Sequence, residues 1–260
     1  MEKLDLLKNY LKKLGSVAIA FSGGVDSTFL AWAAHEALGE NAVAVTVSSC
    51  FVPKRELEQA KNFCRENKIR QIILEMNPLE IESVALNPKN RCYLCKKKIF
   101  ENIKQTALTE GFSFVADGTN VDDTGDFRPG LAALCELEIK SPLRECGFSK
   151  AEIREASKNV GLETWNNPSF ACLASRFVYG EEITNAKLAA VEKAEDFLLS
   201  KGFGQIRVRV HKNLARIEVL PKQIEKLFAM RNEVDLKLKE IGFDFITMDL
   251  HGFKSGSMNV

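Results

Sequence analysis

The chain has 260 residues, 45% of them hydrophobic and 27% charged, with a formal net charge of +1. That length suits one large domain or two small ones with a real core, and no apolar run nears the ~20 residues that span a bilayer. Near-neutrality gives no global electrostatic case for a nucleic-acid partner, and seven cysteines with no export signal point to reduced thiols in the cytoplasm.

The first segment, MEKLDLLKNYLKKLG, spaces Leu4, Leu7, Leu11 and Leu14 as one face of an amphipathic helix, unlike a signal peptide. Val17 to Phe21 reads as a buried strand. It breaks at Ser22-Gly23-Gly24-Val25-Asp26-Ser27 and resumes as a helix through Phe29, Leu30 and Trp32. A strand, a Gly-Gly turn and a helix start surround one concavity with free backbone N–H groups, and the natural guest is an anion, most often phosphate. Ser22, Ser27 and Thr28 add hydroxyls, and Asp26 can hold a magnesium ion against phosphate oxygens. The Walker spacing and its lysine are absent, as is Gly-x-Gly-x-x-Gly. SGGVDS instead resembles the pyrophosphate loop of ATP pyrophosphatases, which split ATP between its α and β phosphates and adenylate a substrate. The bland alternative is a tight, capped strand–helix turn.

Further along, Val43–Ser48 reads as a strand, Lys54–Asn67 as a helix, Ile72–Leu74 as a short strand and Asn90–Leu108 as a helix. Phe114–Ala116 opens another strand, which runs into Asp117-Gly118-Thr119-Asn120. This alternation predicts βαβ units: an α/β, Rossmann-like, doubly wound parallel sheet. Ligands of such sheets bind beyond the carboxyl ends of the strands, so SGGVDS, Thr46 to Ser48 and Gly118 to Asn120 should converge on one ATP site. Asp122, Asp123 and Asp126 follow, either as carboxylates for a metal–pyrophosphate or as an exposed acidic loop. Ser149-x-x-Glu152 is a capping-box signal for a helix reaching about Asn159, and Gly161–Asn167 reads as a linker. Beyond it, a helix over Ala186–Leu199, strands over Gln205–His211 and Ala215–Leu220, a helix from Pro221 to about Ile241 and a strand over Phe245–Leu250 predict a small α+β domain. The expected division is therefore 1–165, a junction loop over 166–180, and 181–260. The tail from Ser255 to Val260 is expected to be mobile or bound in an oligomer.

The cysteines fall into two groups. Cys50, Cys64, Cys135 and Cys146 lie in or beside predicted elements and read as packing residues. Cys92 and Cys95 stand between Arg91 and Lys96-Lys97-Lys98 at a helix start, where cationic neighbours favour the thiolate, and the i, i+3 spacing puts both sulfurs on one face. The pair fits a redox couple, half of a zinc site or part of an iron–sulfur site. Cys172 lies in the junction loop, flanked by Pro168 and Arg176. Arg207 and Arg209 alternate on one strand face and, with Arg176, suit a second anion such as a substrate phosphate; a solvated strand face is the alternative. His35, His211 and His251 form no recognisable triad or metal pair.

Together SGGVDS, RCYLCKK, DGTNVDD, SPLRECGFSKAEIR, NPSFACLASRFVYG and DLHGFKSGSMN resemble the LarE family over essentially the whole chain. These are ATP-dependent sulfur transferases, or sulfur insertases, of nickel-pincer nucleotide biosynthesis for lactate racemase. The resemblance implies adenylation of the carboxylates of pyridinium-3,5-biscarboxylic acid mononucleotide, then replacement by thiocarboxylates. It also implies one of two sulfur sources. Either Cys172 gives up its own sulfur and becomes dehydroalanine, or Cys92, Cys95 and Cys172 hold a four-iron four-sulfur cluster; the presence of all three cysteines favours the cluster. Sulfide or a sulfur-donor protein as partner, magnesium at Asp26 and Asp123, and a homo-oligomer complete the expectation. The rivals are a tRNA thiolase, an amide-forming synthetase and an ATP-binding regulatory module without chemistry.

Overall fold

The computed structural model describes residues 2–125, 129–168, 171–254 and 256–258. Asp126 of the acidic loop, Ser169 and Phe170 of the junction segment, and Ser255, Asn259 and Val260 of the tail lie outside the described residues. The chain divides into two units, one built from 1–77 and 90–170, the other from 78–89 and 171–260.

The first unit contains α1 (Glu2–Leu14), β1 (Val17–Ala20), α2 (Val25–Leu38), β2 (Ala42–Ser48), α3 (Lys54–Glu66), β3 (Gln71–Glu75), α4 (Arg91–Thr109), β4 (Phe114–Ala116), α5 (Pro129–Glu136), α6 (Pro142–Glu145) and α7 (Lys150–Asn159). Its four strands are parallel in the order β3-β2-β1-β4, so β2 and β4 flank β1 and the connections reverse direction there. A parallel sheet is covered on both faces, which explains why its strands read as unbroken apolar runs. Val17, Ile19, Ala42 and Ala44 face a core with Leu7 and Leu11 of α1, Phe29 and Leu30 of α2 and Ile153 of α7. The alternate residues Ala18, Val43 and Val45 face Phe100 and Ile103 of α4 and Leu134 of α5. The α2 helix has almost no polar face because it is buried nearly all round. The capping box at Ser149 and Glu152 forms as the spacing predicts, with Ser149 Oγ accepting from the Glu152 N–H and Glu152 Oε2 from the Ser149 N–H. The segment read as a linker contains a 3₁₀ turn, Glu163–Asn166.

The second unit contains α8 (Asn185–Ser200), β5 (Ile206–His211), β6 (Leu214–Val219), α9 (Ile224–Ala229), α10 (Arg231–Ile241) and β7 (Phe245–Met248). β5 and β6 form an antiparallel hairpin, and β7 joins β6 in parallel. Ile206, Val208 and Val210 are buried on one face of β5, and α8 packs on that strand. The single helix expected from Pro221 to Ile241 is instead a 3₁₀ turn followed by two helices, broken at Met230, whose ψ of 9° leaves the helical range. Leu227, Val234 and Leu238 keep one apolar stripe across the break, and that continuity made it invisible to periodicity.

Residues 78–89, which the sequence leaves inside the first domain, belong to the second unit because Asn87 is stitched into it. Its side-chain amide donates to the Val178 carbonyl at 2.6 Å, and its own carbonyl accepts from Gly180. The Ile183 N–H reaches Ala85 in the same way. Asn87 is fully buried and adopts a left-handed φ of 54°, a conformation its short amide side chain tolerates better than most residues.

Candidate functional site

In the first unit the loop after β1 is built as the sequence requires. The Ser22 and Ser27 hydroxyls lie 3.1 Å apart, Ser27 Oγ donates to the Gly24 carbonyl, and the Thr28 N–H closes the first helical bond to Gly24 at 2.9 Å. The N–H groups of the preceding first-turn residues have no partner within the helix, as an anion site needs. Gly23 is required twice over. Its φ is +74°, and a Cβ there would stand 3.1 Å from the Ala60 Cβ of α3.

The loop after β4 packs directly on the start of α2. A Cβ on Gly118 would lie 2.9 Å from the Ser27 backbone nitrogen and 3.2 Å from the Asp26 carbonyl carbon, so only glycine permits this approach. The loop is held from below. Asp117 accepts from the Thr119 hydroxyl and, at 2.8 Å, from the Ser141 hydroxyl. Asn120 is buried; its N–H donates to Asp123 Oδ2 at 3.0 Å, and its Oδ1 accepts from the Asp122 N–H at 2.9 Å. The Thr46 hydroxyl is buried and takes a hydrogen bond from the Gln71 amide, while the Ser48 carbonyl accepts from Met76. These two therefore shape the strand end chiefly through their backbone.

Asp26 is the charged residue of the loop. Lys150 Nζ lies 2.5 Å from its Oδ2, while its Oδ1 is buried without a hydrogen-bond partner. Burial raises the Asp26 carboxyl above the ordinary carboxylate range, against the opposing pull of Lys150. A buried carboxylate oxygen with no donor suits a cation brought by ATP, so this chain's residues fit a magnesium ion at Asp26, with the Asp123 charge close enough to be felt there. Sequence reasoning missed Lys150. The capping box fixes Lys150 as the first residue of α7 but carries no signal of its reach to Asp26, 124 positions away.

Cys92 and Cys95 occupy the first turns of α4, the former exposed and the latter half-buried, and Arg91 Nη2 lies 3.7 Å from Cys92 Sγ. Cys172 is exposed and belongs to the second unit. Thiolates are the right donors for iron, but no group of three or more His, Cys, Asp or Glu side chains placed to share a metal occurs among the described residues.

In the second unit, Arg176 does not face outward as a phosphate ligand would. It is 1% exposed and forms a bidentate pair with fully buried Glu195, both contacts 2.9 Å, while its Nη1 donates to the carbonyls of Ala171 and Cys172. Its charge is spent on holding the Cys172 loop. Burial alone would lift the Glu195 carboxyl, but Arg176 and the Val208 N–H outweigh it and hold that carboxyl below its usual range. Arg207 and Arg209 do share a face of β5. Arg207 lies over the Phe253 ring, and Arg209 is buried against Glu218 at 2.8 Å and the Ser175 carbonyl at 3.1 Å. Glu195 and Glu218 were not legible as partners because their roles depend on strand register and helix packing.

Comparison with known proteins agrees with this architecture. The sequence model of the NAD synthase family matches residues 1–105, the part that holds the phosphate loop. The chain is 34% identical to the pyridinium-3,5-bisthiocarboxylic acid mononucleotide synthase of Lactiplantibacillus plantarum, over 96% of this chain and 91% of that one. The chain belongs to the LarE family. An uncharacterized protein of Synechocystis is 41% identical over 99% of this LarE-family chain and 97% of its own length. One glutamine-hydrolyzing GMP synthase component from Thermoplasma volcanium is 27% identical, over 76% of this chain and 67% of its own. No helix among the described residues of this LarE-family member is long and apolar enough to cross a membrane.

Proposed function

We propose that this protein is an ATP-dependent sulfur transferase that converts the carboxylates of pyridinium-3,5-biscarboxylic acid mononucleotide to thiocarboxylates, in nickel-pincer nucleotide biosynthesis. The observation that carries this reading is the match to the synthase along nearly the whole chain, including both units. The phosphate loop supports the first half-reaction. A substrate carboxylate oxygen attacks the α-phosphorus of ATP, pyrophosphate departs into the Ser22–Ser27 loop, and an acyl adenylate remains. A sulfur nucleophile then attacks the acyl carbon, and AMP leaves with the former carboxylate oxygen. Magnesium would be held by Asp26 and Asp123 and would neutralise the departing pyrophosphate. Cys172, on a loop fixed by the buried Arg176–Glu195 pair, is the sulfur-bearing residue of this reading, and Arg207 with Arg209 forms the subsite for the substrate's own phosphate. Cys92, Cys95 and Cys172 are the residues that would hold an iron–sulfur cluster, whose contribution would be to carry a replaceable sulfide.

The test is pyrophosphate release from ATP on addition of the biscarboxylic acid mononucleotide, with mass spectrometry of both products. Iron and acid-labile sulfide, measured on protein purified without oxygen, separate the two sulfur sources. A cluster lost in C92A, C95A or C172A supports cluster-bound sulfide as the source. Absence of iron after reconstitution, with dehydroalanine at position 172 after turnover, supports Cys172 itself as the source. The match to a GMP synthase component favours one other reading, an amide-forming synthetase. Ammonia-dependent formation of an amide, with activity retained in C172A, would replace sulfur transfer by that chemistry.

A further inference from the structure

The polar face of the β5–β6 hairpin is covered by Phe253, Ser257 and Met258. Register places Arg207 opposite Glu218 and Arg209 opposite Arg216, so three arginines and one carboxylate share this face. Glu218 is nevertheless fully buried and Arg209 only 5% exposed. The tail lies over them. It leaves β7, turns at Gly252 (φ +77°), where a Cβ would strike the Val219 carbonyl at 2.6 Å, and is pinned by the Phe253 N–H to that carbonyl at 2.7 Å. Phe253 then lies against Arg207, with 5.2 Å between guanidinium and ring centre. Farther on, Ser257 Oγ lies 2.9 Å from Glu218 Oε1 and 3.1 Å from Arg209 Nη2, and Met258 Sδ is 3.3 Å from Arg216 Nη2.

The direction of these bonds decides what Ser257 does. A carboxylate can only accept, so the Ser257 hydroxyl proton goes to Glu218, and toward Arg209 the oxygen is an acceptor. Ser257 therefore has no proton to give a phosphate; it stands where a phosphate oxygen would stand. The neighbouring donor points the same way. Arg209 Nε is buried with no acceptor, and Nε with Nη2 is the side of a guanidinium that takes a phosphate in two parallel hydrogen bonds. One half of that fork, Nε, is empty; the other, Nη2, is shared between the Glu218 carboxylate at 2.8 Å and Ser257 of the tail at 3.1 Å.

We propose that the C-terminal tail is a strap that competes with the substrate's phosphate for Arg209, with Ser257 as the surrogate ligand. A phosphate arriving at Arg207 and Arg209 displaces Ser257, satisfies Nε, and frees the chain beyond the Phe253 anchor. Ser257 thus sets the affinity of the phosphate subsite without joining it. This deepens the proposed function and rests on its reading of the arginine strand as that subsite.

The experiment uses the full chain with two probes, inorganic phosphate and nicotinate mononucleotide, a pyridine carboxylate nucleotide with the same terminal phosphate. Calorimetric titration of wild type, S257A and R207Q is paired with timed carboxypeptidase digestion read by mass spectrometry. S257A should bind both probes roughly tenfold more tightly, the worth of one hydrogen bond to a charged group. Either probe should hasten trimming past Ser257 in the wild type. Equal or weaker binding by S257A, or slower trimming with probe, overturns the strap and makes the tail a fixed wall. Phosphate binding that is absent in the wild type, or unchanged in R207Q, overturns the phosphate subsite itself, and the strap with it.

Discussion

Replacing Gly118 with alanine tests the joint between the two loops of the proposed ATP site. The added Cβ would stand 2.9 Å from the Ser27 nitrogen and 3.2 Å from both the Asp26 carbonyl carbon and its Cβ. Two of those contacts are backbone in the first turn of α2, so no side-chain rotation relieves them. One of the two segments must retreat by about half an ångström, and overpacking of this kind typically costs about 1–3 kcal/mol. The larger effect falls on function, because both segments belong to the proposed phosphate site. A misplacement of ~1 Å can cost about a hundredfold in rate, so G118A should lose at least about tenfold in kcat/KM for pyrophosphate release. Gly130→Ala is the matched control. Its Cβ would meet the Lys96 side chain, which can swing aside, and alanine favours the α5 helix by about 0.5–1 kcal/mol. Urea denaturation and ATP titration of both variants complete the assay. Wild-type ATP affinity and turnover in G118A would refute the claim that these loops form one site.

Asp26→Asn should abolish pyrophosphate release yet leave the protein more stable at neutral pH, by about 1 kcal/mol, because a functional carboxylate is held buried at a cost. The sign follows from the raised Asp26 carboxyl. The wild type is relatively most stable where that group is protonated and loses stability as pH rises through its folded-state value, so the advantage of D26N should shrink in acid denaturation series. Glu195→Ala removes the carboxylate that offsets the buried Arg176 charge and should cost about 3–5 kcal/mol in urea melts. Because the Glu195 carboxyl is held low, its contribution is present above the unfolded carboxylate range and fades as pH falls through the folded value; Glu195→Gln should flatten that acid limb. Iodoacetamide at pH 8 should label exposed Cys92, Cys135 and Cys172 well before Cys64, which is 1% exposed and whose thiol is pushed up to about 12 by burial. Peptide mapping that found Cys64 modified first would contradict the packing of α3 on the sheet.

Much of the fold was legible because local and global signals agree. The strands from Val17, Val43 and Phe114 are uninterrupted apolar runs bounded by turn residues, as a doubly covered parallel sheet demands, and Ser149 with Glu152 announced α7 from four residues. The phosphate loop was legible for the same reason, since its function resides in backbone geometry that glycine and serine encode locally. What stayed hidden depends on partners distant in sequence. Arg176 looks identical in sequence whether it meets a phosphate or Glu195, and only helix packing decides between them. Lys150 reaches Asp26 from 124 positions away, a contact that no spacing rule anticipates. Ser257 lies in a tail that composition marks as loose, and an arginine–carboxylate pair on the neighbouring strands is what holds it.

The stitching of Asn87 has a consequence for how the protein is made and how it can be cut. Chain synthesis delivers residues 78–89 long before Phe177 and Val178, whose carbonyls Asn87 bonds across a separation of about ninety positions. The second unit therefore cannot be completed by its own contiguous stretch, however finished that stretch looks on paper. A gene cut after residue 170 yields a downstream fragment lacking the buried amide that ties Phe177–Gly180, while the upstream fragment carries that amide with nothing to bind. Dissection at the visible border should give two insoluble halves, and supplying 78–89 as a separate peptide is the way to restore the downstream one.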